Sequence, residues 1–142
     1  MALKVTRMPE RYIPELTKEL KQRPNWAEGH EQLARMYILG EDDVVNMFKH
    51  FYIAAQLDNS LNQPHKYLKE VYYGMGRYED SSREDKADKS TDYYGGTILV
   101  QGLCAHIREL ALQKKSELEG LIKELSHETR KGKKRKKRFG IF

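Results

Sequence analysis

His30, Leu33, Ala34 and Tyr37 recur 35 residues later as His65, Leu68, Lys69 and Tyr72. A repeat of that length is the length of a helix pair, and one helix pair cannot bury its apolar face by itself; it must stack on a neighbour to make a core. The interval therefore predicts an all-α fold built by stacking, with function carried on exposed faces. Binding is expected rather than chemistry.

Local signals divide the repeated region into four helices. The first runs from about Pro14 through Leu16 and Leu20 to Gln22, because Pro24 disfavours helix at Arg23. The second is expected to be capped by Asn25. It carries Ala27, His30, Leu33, Ala34, Tyr37 and Ile38 on one face and ends at Gly40. Asp42 or Asp43 can cap a third, whose apolar residues are Val44, Met47, Phe48, Phe51, Ile53, Ala54 and Leu57. A fourth follows Asn62, has Pro64 in its first turn and presents Leu68, Val71, Tyr72 and Met75 before Gly76.

From about residue 14 to residue 81 these patterns resemble tetratricopeptide repeats. The run Leu33-Ala34-x-x-Tyr37, then Met47-x-x-x-Phe51-x-x-Ala54, then Leu57-Asp58-Asn59 carries the likeness. The second copy opens Leu68-Lys69-x-x-Tyr72 and continues Gly76-Arg77-Tyr78-Glu79-Asp80-Ser81. The sequence departs from the family at His30 and His65, where a larger aromatic is usual, and at Asn59, which replaces the closing proline. One extra residue also stands between Gly40 and Asp43. The resemblance implies a concave face, lined by the first helix of each pair, that holds a peptide. Its facing positions are Glu31, Arg35, Ile38 and Leu39, then Lys66, Glu70, Tyr73 and Gly74. They do not reproduce the lysine, asparagine and arginine clamp that a family subset uses on a terminal carboxylate. An apolar or mixed-charge peptide is implied, with Tyr73 as its anchor.

Beyond Ser81 the pattern changes. Residues 82–92 are almost wholly polar and are expected to form a solvated loop or a frayed helix. Then Ile98, Leu99, Leu103, Ile107, Leu110, Leu118, Leu121, Ile122 and Leu125 predict one long amphipathic helix over about 97–127. Such a helix either caps the open end of the stack or pairs with another copy as a short coiled coil. The run Thr97 to Val100 alone would pass for a strand, but it has no partner strand in the chain. The expected organisation is a helical domain over 1–128 and a basic tail over 129–142.

Nothing in the sequence assembles a reaction centre. His30-Glu31 begins the zinc-protease pattern, but Ala34 stands where the second histidine is required. His30 and His65 read as packing residues, and Cys104 as a buried thiol, since Cys104 and His106 point to different sides of a helix. Gly95-Gly96-Thr97 lacks the glycine-lysine pair of a phosphate loop. Catalytic residues, a metal and a cofactor are all expected to be absent.

Charge is concentrated at one end. Arg130, Lys131, Lys133, Lys134, Arg135, Lys136, Lys137 and Arg138 are eight of nine consecutive residues, and setting them aside turns a net charge of +5 into one of −3 for the remainder. Such a block repels itself, stays extended, and binds polyanions by releasing their counterions. Phe139, Ile141 and Phe142 follow it and would gain from burial against a partner. The absence of a leader pattern and of a long apolar run predicts a soluble protein, and a single cysteine suits a reducing compartment. The cytoplasm is expected, or the nucleus in a eukaryote, with membrane contact peripheral at most.

The sequence thus predicts a non-enzymatic adaptor that binds a protein segment through its helical face and nucleic acid or a nucleoprotein through its tail. Two alternatives stay open: a nucleic-acid-binding protein whose helical domain sets a homo-oligomeric state, and a small enzyme whose site is hidden in one sequence.

Overall fold

The computed structural model describes the backbone of residues 9–89 and 101–135, with side chains over 12–89 and 102–127. Within these bounds every regular element is a helix: α1 Pro9–Gln22, α2 Ala27–Glu41, α3 Val44–Leu57, α4 Asn62–Met75, α5 Tyr78–Ala87, α6 Gln101–Gln113 and α7 Lys115–Arg135. The expected all-α class is the one found. Gly95 to Thr97 and Thr97 to Val100 lie outside the described residues.

Most helix ends follow their local chemistry. Asp43 caps α3 by accepting the Asn46 N–H at 3.0 Å, and the Asn46 side-chain amide donates to its other oxygen at 2.8 Å. Gly76 ends α4 in the left-handed region at φ 84°, where a missing Cβ removes the steric penalty. Arg77 then donates its N–H to the Tyr72 carbonyl at 2.9 Å. Three boundaries differ from expectation. Helix α1 starts at Pro9, itself suited to a first helical position, so Pro14 sits in the interior of the helix. Helix α2 is capped by the backbone of Trp26 rather than by Asn25, and ends with Asp42 in the left-handed region instead of at Gly40. Packing decides the Trp26 cap. The Trp26 ring lies where a Cβ on Gly29 would be, 2.3 Å from it, and the Arg23 guanidinium covers the ring at 4.2 Å.

The helices stack in sequence, α1 on α2, α2 on α3, α3 on α4 and α4 on α5. A small cluster of Leu16, Leu20 and Leu33 joins α1 to α2. The main core runs from Ala34 and Ile38 through Met47, Phe48 and Phe51 to Tyr67, Leu68, Val71 and Met75. Phe51 stacks on Tyr67 with ring centres 4.4 Å apart, and Phe48 meets Tyr72 edge-on at 5.4 Å.

Past Ser81, of the loop or frayed helix expected, a helix is found in the first part, because α5 continues to Ala87. It needs no apolar face, since it lies antiparallel on α4 and pairs its charges with that helix: His65 with Glu84 at 2.6 Å and Lys66 with Asp88 at 2.8 Å. The single long helix is broken at Lys114 into α6 and α7. The break lets α6 pack on α4 while α7 reaches back to α3, which one straight rod would not do. Finally, the backbone is helical through Arg135, so α7 passes the expected start of the tail near residue 129.

The amphipathic stripe of this region is used within the chain. Ile107, Leu118, Ile122 and Leu125 are all buried in the main core beside Cys104 and Ala111. These side chains pack inward against α3 and α4.

Candidate functional site

Helices α4 and α6 touch backbone to backbone at Gly74. A Cβ there would lie 2.3 Å from the carbonyl oxygen of Arg108, so only glycine permits this approach. The contact seats the Arg108 side chain over α4. Its Nε donates to Glu70 Oε1 at 2.7 Å, and its guanidinium lies 5.4 Å from the Tyr73 ring centre. Hydrogen bonding to the Glu70 carboxylate raises the affinity of Arg108 for its proton further, keeping it cationic. Tyr73 in turn meets Tyr78 edge to face, with ring centres 5.1 Å apart at 64°.

These groups line an open cleft among α4, α5 and α6, bordered also by Lys69, Ser81, Ser82 and Asp85. Tyr73 and Tyr78 are 52 % and 61 % exposed, although both are large and partly apolar. The cleft therefore offers two aromatic faces, a phenol at each tip, and cations and carboxylates in near balance. That chemistry suits a peptide with an aromatic or aliphatic anchor and polar flanks.

The positions implied by the family resemblance divide in two. Glu31 and Arg35 form an i,i+4 pair at 3.8 Å on α2, Leu39 is exposed, and Tyr73 projects into the cleft. Ile38, Lys66 and Glu70 are instead 2 %, 7 % and 4 % exposed. Ile38 belongs to the main core, Lys66 turns towards Asp88 beside α5, and Glu70 is taken by Arg108. A continuous open groove along α2 and α4 is thus corrected to a shorter cleft, because α6 packs on α4 at Gly74. Arg108 and Tyr78 were not anticipated as members of it. Gly74 was the available signal: a glycine within a helix often marks a close crossing.

Cys104, His30 and His50 are buried and engaged with their neighbours. Burial, with the Glu70 carboxylate beside it, pushes the Cys104 thiol up to about 11, leaving little reactive thiolate at neutral pH. His30 donates from Nε2 to the Pro24 carbonyl at 2.9 Å, and its Nδ1 lies 3.0 Å from Nδ1 of His50. Burial depresses both rings, with His50 brought down to about 2 and further opposed by charge on His30 and Lys49. Among the described residues, no group of three or more His, Cys, Asp or Glu could hold a metal ion. No described helix is long and apolar enough to cross a membrane.

Arg130, Lys131, Lys133, Lys134 and Arg135 lie on the last turns of the α7 backbone, with their side chains outside the description. Lys136, Lys137, Arg138, Phe139, Ile141 and Phe142 lie outside the described residues altogether. Comparison with known proteins finds no matching family model, no similar curated protein and no similar solved structure.

Proposed function

We propose that this chain is a non-enzymatic adaptor, with a tetratricopeptide-like helical stack that binds a protein segment and a basic C-terminal stretch that binds a polyanion. The observation that carries the first half is the exposed Tyr73 and Tyr78 pair backed by Arg108. Tyrosine and arginine at the centre of a concave surface are the residues most often responsible for binding energy between proteins. The order of the helices supports the repeat reading. So do the equivalent bonds of His30 and His65, each made to a carbonyl six residues earlier at 2.9 Å. The segment bound in the cleft is short, of mixed charge, and inserts one large apolar side chain beside Tyr73.

The second half rests on the density of charge from Arg130 to Arg138. A helical backbone through Arg135 would present five of these cations from one rigid element to a phosphate backbone. This favours nucleic acid as the polyanion. The same observation supports the alternative in which nucleic-acid binding is the main activity.

Two chains separate these readings: the full protein and one ending at Thr129, each titrated with labelled single- and double-stranded nucleic acid at two salt concentrations. The adaptor reading expects salt-sensitive binding by the full chain only, with protein capture by the cleft retained in the shorter one. Loss of protein capture in the shorter chain would refute the division of labour. Absence of nucleic-acid binding at low salt would refute the polyanion assignment.

A further inference from the structure

Helix α5 is attached differently from the other described helices. It adds no residue to either apolar cluster, and its only buried residue is Ser81, whose hydroxyl donates to the Lys69 carbonyl at 3.0 Å. Apart from the exposed Tyr78 ring, which meets Tyr73 edge to face, the rest of its described hold on α4 is charge and hydrogen bonding. Glu84 meets His65, Asp88 meets Lys66, Asp85 lies 3.4 Å from Lys69, and the Lys89 N–H donates to the Asn62 side chain at 2.8 Å. Two carboxylates of α5 and that of its C-cap, Asp88, at positions i, i+1 and i+4, thus cover three basic residues spaced i, i+1 and i+4 on α4. Among the described residues, helix α5 packs chiefly against α4. At its start, Gly76 sits in the left-handed region with open space around it, and Arg77 is tied to Glu119 of α7 at 2.8 Å. Those features give the segment a pivot and an anchor.

We propose that α5 is a detachable acidic helix occupying, within its own chain, an acceptor surface formed on α4 by His65, Lys66 and Lys69, and that this surface takes an acidic helical segment of a partner protein when α5 swings away. The occupant is specified by charge complementarity: α5 itself is the template, and its carboxylates at Glu84, Asp85 and Asp88 are the features a partner must reproduce. Opening removes no member of the core between α2, α3, α4, α6 and α7, which does not include α5. Burial of Lys66 and His65 requires a carboxylate opposite each, so the surface stays closed by α5 until a competing acid arrives. The proposal rests on the face of α4 beneath α5. Because Tyr78, Ser81, Ser82 and Asp85 also line the cleft, opening would take the cleft apart. Tyr73→Ala, which removes the cleft anchor but leaves the three ion pairs in place, keeps the two readings distinguishable.

Hydrogen exchange on the full chain, with a trans peptide as probe, tests it. Amides of α5 should exchange at least about tenfold faster than those of α3, and Glu84→Gln with Asp88→Asn should accelerate α5 about tenfold more while leaving α3 unchanged. A labelled peptide of residues 77–89 should then bind this variant about tenfold more tightly than the parent chain. A peptide with Glu84, Asp85 and Asp88 neutralised should bind neither. Exchange of α5 and α3 at one common rate would overturn the detachable helix. Failure of the acidic peptide to bind the opened variant, or equal binding of the neutral peptide, would overturn the acceptor surface. Should the double variant lose α3 protection, Asp88→Asn alone carries the same comparison.

Discussion

His30 and His65 make the same bond through Nε2 and face different groups through Nδ1, which shift their proton affinities in opposite directions. Each donates from Nε2 to a carbonyl six residues earlier at 2.9 Å, Pro24 for one and Asn59 for the other. Their Nδ1 atoms part company: that of His30 faces His50, while that of His65 faces the Glu84 carboxylate at 2.6 Å. A carboxylate can only accept, so His65 must carry a proton on both nitrogens to complete its bonds. His30 needs one proton only, with Nδ1 accepting from His50.

The two histidines should therefore pull stability in opposite directions with pH. His65 binds its proton more tightly folded than unfolded, chiefly through the hydrogen bond to Glu84. Its contribution is complete below the unfolded value of 6.5 and is lost as pH rises through the higher folded value. His30 and His50 are depressed by burial, so the unfolded chain takes up protons below about 6.5 that the folded chain refuses. Stability should fall there by up to about 1.4 kcal/mol per pH unit for His50, towards its folded value of about 2. Denaturant melts from pH 4 to 9 check this: His50→Gln should flatten the acid limb, and His65→Gln the alkaline limb. Parallel limbs in parent and variants would refute the assignments.

Gly74→Ala should destabilise the protein by about 1–3 kcal/mol, because the new methyl group meets the Arg108 backbone, which cannot rotate aside. Thermal unfolding measures the loss. A neutral effect would mean that α6 does not cross α4 at this point.

Tyr73→Ala and Tyr78→Ala should leave stability within about 1 kcal/mol, since both rings are largely exposed. If the cleft is the peptide site, Tyr73→Ala should cost about 2 kcal/mol or more in partner affinity. Titration calorimetry with a captured partner would read this, and unchanged affinity would remove Tyr73 from the site.

Leu118→Ala should cost about 2–5 kcal/mol, the usual range for a cavity left in a packed core. Light scattering should show no change of assembly state on this substitution. A dimer that dissociates in the variant would return the α6 and α7 stripe to an intermolecular role.

Much of the secondary structure was legible because it obeys local rules. The apolar spacing of α2, α3 and α4, the Asp43 cap and the Gly76 terminus each depend on residues within one or two turns. Helix α5 was legible only as one of two outcomes for a polar stretch. Its partners, His65, Lys66 and Lys69, lie 16 to 22 residues away in sequence, and no apolar period announces a helix held by charge.

The sequence by itself determined that this chain is helical, that its helices must stack, and that His30 and His65 occupy equivalent places. Those properties follow from periodicity and from short-range backbone chemistry. Only the tertiary structure decided that α6 lies on α4, since that contact joins Gly74 to Arg108 across 34 residues. It also decided which histidine binds its proton more tightly, because an imidazole's proton depends on what stands opposite Nδ1. For His30 that is another ring, and for His65 it is a carboxylate.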